Sequence, residues 1–128
     1  MALVYENEHI KIETESSEIP WLKIFTQKPY KEMSEVPSEI KLEIYHLLDI
    51  IEKEMLSYYN PTKINIASFG NYVPHVHWHI MTRFAQDSYY PEPMWGAKQR
   101  EGCLSLPSFA LFCNKVQNLL SLDVLESK

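Results

Sequence analysis

Cysteine and glycine are scarce in this chain, with two of the first and three of the second in 128 residues. Cys103 and Cys113 match no zinc-ligand spacing and are too few for a disulfide framework, so both read as reduced thiols. No apolar run approaches the ~20 residues that a membrane helix requires, and no span is expected. The start of the chain, Met1-Ala2-Leu3-Val4-Tyr5-Glu6, lacks the basic end and apolar stretch of a secretory leader, which makes the cytoplasm the expected location. Positive charge is also short. Twelve Lys/Arg against seventeen Asp/Glu give a net charge of −5, with no basic cluster to neutralise a phosphodiester backbone. A nucleic-acid polymer is thus not an expected partner. A small anion remains open, because a pocket can be locally positive on an acidic protein.

The rest of the composition, 45% hydrophobic and 23% charged, is that of a globular chain long enough for one core. Residues 3–5 and 9–13 read as short strands around Glu6-Asn7-Glu8, followed by a polar loop over 13–18 and a strand over 21–26. Val36-Pro37-Ser38-Glu39 opens a helix with Pro37 in its first turn, and Ile40, Ile44, Leu47, Leu48, Ile51 and Met55 recur at helical spacing. Asn60-Pro61 ends it. A strand over 63–69 and a turn over 70–74 follow, then an aromatic, proline-rich stretch around 89–96 and a final helix over 108–121 capped by Ser108. Strands, a helix, a strand pair and a helical tail together predict an antiparallel α+β domain.

Within that frame stands His75-Val76-His77-Trp78-His79. Strand side chains alternate between faces, so Val76, Trp78, Ile80, Thr82 and Phe84 would meet a core, while His75, His77, His79, Met81 and Arg83 share the other side. Three imidazoles and a guanidinium on one face suit a phosphate. A regular strand separates the outer two histidines by roughly 13 Å, too far for all three to reach one zinc ion. No metal is therefore expected, although partial metal binding stays a rival. A neutral imidazole is a competent nucleophile near pH 7, so His77 could attack phosphorus, with His75 and His79 donating hydrogen bonds to the charge that builds on oxygen.

The run His75-Val76-His77-Trp78-His79-Ile80-Met81 resembles the His-φ-His-φ-His-φ-φ signature of the histidine triad (HIT) family, with φ apolar. Asn65 and Gly70-Asn71 are similar to that family's approach to the triad, and Ile19-Pro20-Trp21-Leu22, Arg83-Phe84 and Trp95-Gly96 resemble a bacterial subgroup. The resemblance implies a HIT-like domain over 1–96, with 97–128 a linker and helix packing on it. It also implies a hydrolase or transferase acting at the α-phosphorus of nucleoside phosphoramidates or dinucleoside polyphosphates, through a nucleotidyl-His77 intermediate. His79 and His75 would assist, Asn65, Asn71 and Arg83 would bind phosphate, and Ser16 or Ser17 would hold a nucleoside hydroxyl. No cofactor is implied, and a two-fold homodimer is. Two departures stand out: Asn71 replaces a longer Gln, and Lys28-Pro29-Tyr30-Lys31 lacks the fourth histidine of many members. They leave a nucleotide sensor with little turnover as the alternative. His9 and His46 are read as surface residues, Trp21 and Trp78 as core, and Trp95 either as simple packing or as a side chain crossing a site.

Overall fold

The computed structural model describes residues 1–126. Five strands, β1 (Leu3–Glu6), β2 (Ile10–Thr14), β3 (Trp21–Thr26), β4 (Lys63–Ser68) and β5 (His77–Arg83), form one antiparallel sheet in the order β1-β2-β3-β5-β4. Two helices, α1 (Ser38–Tyr59) and α2 (Phe109–Glu126), complete an α+β fold.

Alternation in the strands and the helical stripe in α1 supply complementary surfaces. Ile10, Ile12, Leu22, Ile24 and Ile80 point to one side of the sheet and are fully buried, in one core with Ile44, Leu47, Ile51 and Met55 of α1. Each such side chain contributes about 1.5–3 kcal/mol on removal from water. Phe112, Val116 and Leu120 of α2 join the same core, with Phe112 5.2 Å from the ring of Tyr59. The Ser108 hydroxyl accepts the Leu111 N–H at the start of α2.

Pro37 stands one place earlier than expected, as the cap of α1 in extended conformation, where its carbonyl accepts from Ile40 and Lys41. At the other end Asn60 adopts φ 48° and returns its N–H to the Leu56 carbonyl. Left-handed backbone favours Asn or Gly over residues with a bulkier Cβ environment. Asn60→Ala is expected to lower unfolding stability by about 1 kcal/mol, and Asn60→Gly to leave it nearly unchanged. Urea titrations of the two variants check this.

The histidine strand begins at His77, two residues later than its alternation predicts. Val76 donates its N–H to the Tyr30 carbonyl instead of joining the ladder. His75 therefore belongs to the approach to β5. Trp21 is buried in the core as expected, but it pairs with Met81 and shares the histidine side of the sheet.

Candidate active site

Register decides what surrounds the histidines. His77 lies opposite Phe25 of β3, and His79 lies between Lys23 of β3 and Ala67 of β4. The Phe25 ring stacks on His77 at 4.9 Å and 23°. The His77 and His79 side chains are largely covered, with 8% and 6% exposure.

Each ring has a fixed partner. His77 Nδ1 is 2.7 Å from the His75 carbonyl oxygen. A carbonyl can only accept, so in the neutral ring the proton sits on Nδ1 and the lone pair is on Nε2. His75 Nε2 lies 2.7 Å from the Thr26 carbonyl, to which it donates, with the Thr26 hydroxyl at 3.2 Å. The Nε2–H of His75 is thus spent on β3. As a neutral ring it cannot also donate from Nδ1 to a substrate oxygen, which alters its expected part: it anchors the carbonyl that orients His77. Trp21 Nε1 donates to His79 Nδ1 over 3.0 Å. Burial pushes the His79 pKa down to about 4, helped by His77 and Lys23 and opposed by Glu15.

Beside His77 lies a hollow of about 150 Å³ walled in part by Lys31, Glu32, Ser68, Gly70 and His75, so that one cation and one carboxylate both border it. It is smaller than pockets that enclose whole drug-sized ligands, and suits one phosphate group with the remainder of a ligand lying outside. The Ser68 hydroxyl donates to the His77 carbonyl, tying β4 to the His77 backbone. Lys31 and Ser68 were not singled out in the sequence. Lys31 occupies the stretch noted only for lacking a histidine, and an isolated lysine in a loop carries no pattern that would reveal it.

Several expected ligands lie elsewhere. Asn71 does not line this hollow and sits in an exposed turn. The bend is tight at Gly70, where a Cβ would approach the Val73 carbonyl to 2.6 Å, and residues 71–73 are exposed. Arg83 is 1% exposed and not available to a phosphate. Its Nε and Nη2 donate to the two carboxylate oxygens of Asp87, Nη1 donates to Asn65 Oδ1 at 2.8 Å, and Nη2 also reaches the Glu92 carbonyl. Asn65 is consequently a member of this brace, opposite Met81 and outside the hollow that His77 lines. Ser16 and Ser17 border a separate hollow of about 610 Å³ with Glu15, Glu18 and Tyr59, in which no triad histidine takes part.

The brace gives the irregular segment after β5 its shape. Asp87 accepts backbone N–H groups from Phe84, Tyr89 and Tyr90 as well as Arg83. Burial alone would raise its pKa; the hydrogen bonds from Arg83 and these three amides outweigh that and hold it below the ordinary carboxylate value. Held in this way, the segment lays Trp95 against His79 at 4.9 Å, Trp21 at 5.2 Å and Phe69 at 4.4 Å. Trp95 thus packs over the triad of its own chain.

A five-stranded antiparallel sheet with a long helix on one face and a partnered histidine row on the other defines a HIT-type domain. The family model described as HIT domain matches residues 2–86, and the chain belongs to the HIT family. Among solved structures it is similar to a histidine triad protein from Marinobacter aquaeolei VT8, at 24% identity and TM-score 0.75, over 94% of this chain and 88% of that one. A histidine triad protein from Sinorhizobium meliloti 1021 aligns at 21% identity and TM-score 0.74, over 91% and 87%. A Plasmodium falciparum diadenosine triphosphate hydrolase aligns at 19% identity and TM-score 0.61, over 97% and 76%. No curated relative matches the chain.

Proposed function

We propose that this protein is a nucleotidyl hydrolase or transferase that cleaves nucleoside phosphoramidates or dinucleoside polyphosphates at the α-phosphorus. The observation that carries this reading is the bare Nε2 of His77, oriented by the His75 carbonyl beside a phosphate-sized hollow. In the first step the Nε2 lone pair bonds to phosphorus, the bond to the leaving amine or phosphate breaks, and the leaving group departs with a proton from solvent. Water then attacks phosphorus, the P–Nε2 bond breaks, the water's extra proton passes to solvent, and His77 returns to its starting form. The Nε2–H of His79 and the ammonium of Lys31 offset charge on the phosphoryl oxygens. Family membership supports the reading, and one structural neighbour is named as a diadenosine triphosphate hydrolase. A purine nucleotide is the expected substrate, and the exposed free thiol of Cys103 suits a reducing, cytoplasmic setting.

The test is a base-quenched incubation with adenosine 5′-phosphoramidate or diadenosine triphosphate, followed by peptide mass spectrometry. An AMP adduct on the peptide containing His77 is expected. Tight nucleotide binding with neither adduct nor product would replace catalysis with sensing, a reading that the outward-turned Asn71 favours.

The working unit is proposed to be a homodimer. β4 is an edge strand, with Ile66 at 43% exposure within it and Phe69 at 41% just beyond its end. Unpaired edge N–H and C=O groups beside apolar side chains favour pairing with a second copy. Light scattering should give about twice the chain mass at micromolar concentration, and Ile66→Asp should shift the protein to monomer. A wild-type monomer under those conditions rejects the proposal.

A further inference from the structure

We propose that Trp21 is a positioning residue: by donating its indole N–H to His79 Nδ1, it locks His79 as the Nε2–H tautomer and reserves that ring as a hydrogen-bond donor beside His77. The inference rests on the nucleotidyl-transfer reading for its use, though the tautomer itself does not depend on it.

The argument begins with donor chemistry. An indole nitrogen can only donate, and the Trp21 Nε1 to His79 Nδ1 distance is 3.0 Å between two buried side chains. Nδ1 must therefore present its lone pair, and the single proton of a neutral imidazole goes to Nε2. The next histidine along has the opposite arrangement. His77 Nδ1 faces a carbonyl, which demands a proton there and leaves Nε2 bare. Two neighbouring rings, 4.9 Å apart, are thus assigned complementary duties by the unlike chemistry of their partners. His79 has no free lone pair with which to compete as nucleophile, and His77 has one.

The surroundings hold the arrangement. The Trp21 indole meets His79 edge-on at 5.6 Å, and Trp95 closes on both rings, with Phe69 5.5 Å from His79 on the β4 side. The titratable groups around His79 are His77, Lys23 and Glu15, with Lys23 paired to Glu15 at 2.8 Å. Burial, His77 and Lys23 all disfavour a second proton on His79, and its pKa of about 4 keeps it neutral through the physiological range. Its donor role is consequently independent of pH from about 5 upward.

The experiment combines ¹⁵N-detected imidazole NMR with pH–rate profiles for wild type and Trp21→Phe. Wild-type His79 is expected to show the Nε2–H pattern, unchanged between pH 5 and 9. Trp21→Phe keeps an aromatic ring but removes the donor. It should yield mixed His79 tautomers and about a tenfold fall in kcat with KM within twofold, the split expected when an interaction made in the transition state is lost. A wild-type His79 protonated on Nδ1, or titrating near 6.5, overturns the proposal whether or not the variant folds. So does a Trp21→Phe protein retaining the wild-type tautomer. Absence of any turnover that depends on His77 would instead strike the proposed reaction, leaving the tautomer result to stand by itself.

Discussion

Substitution of His77 by alanine is expected to lower turnover of an adenosine phosphoramidate by about 10⁴-fold, the scale seen when the nucleophile of a covalent mechanism is removed. The loss should appear in kcat, because His77 touches phosphorus only as the bond forms. Nucleotide affinity should change little, since Lys31 and Ser68 remain in the hollow, with the His79 ring beside it. Folding is a separate matter, and here the geometry predicts a modest cost. The His77 ring stacks on Phe25 and its Nδ1–H meets one backbone carbonyl. Removing both leaves a carbonyl that water can reach through the hollow, so thermal unfolding should shift by only a few degrees, for a loss of roughly 1–2 kcal/mol. Rapid-quench kinetics and calorimetry on one preparation separate the two effects. Equal turnover by wild type and His77→Ala would remove the mechanism.

Arg83→Met should produce the largest loss of stability, about 3 kcal/mol. The Arg83–Asp87 pair is fully enclosed, with side-chain exposures of 1% and 0%. Breaking a buried pair by removing one member costs roughly 3–5 kcal/mol, because the other charge stays desolvated. Three backbone N–H groups still reach Asp87, which places the expectation at the lower end of that range. The sign of the pH dependence follows from the depressed carboxyl. Its folded-state pKa lies below the ordinary value, so the pair contributes stability above about pH 4 and loses it as pH falls through the folded value. Acid unfolding of Arg83→Met should therefore be shallower than that of wild type below pH 4. Chemical denaturation between pH 2 and 7 tests both statements, and equal stability of the two proteins at neutral pH would contradict them. Because the same brace seats Trp95 on His79, the variant should also lose activity without any direct contact with phosphate.

Arg83 shows why the site was only partly legible in the sequence. Alternation placed it on the histidine side of β5, which is correct, and a cation on that side invited an anion. Its anion proved to be Asp87, four residues on, in a segment with no periodic pattern from which a fold could be inferred. Asn65 was also placed on the correct side of its strand, yet its acceptor oxygen is held by Arg83. Ser16 and Ser17 fell into a different hollow because the β2–β3 loop lies at the Trp21 end of the sheet, away from His77. A side is a local property of a strand. What a side chain meets there depends on register and on remote loops.

The sequence alone determined the antiparallel α+β fold and the apolar stripe of α1, since both are short-range periodicities that hydrophobic burial converts directly into structure. It also determined that His77 and His79 would share a side, because neighbouring strand residues of like parity must. Only the tertiary structure decided which nitrogen of each ring holds its proton. That choice follows from a carbonyl two residues away and an indole fifty-eight residues away, and hydrogen-bond partners at such separations exist only once the sheet has set its register.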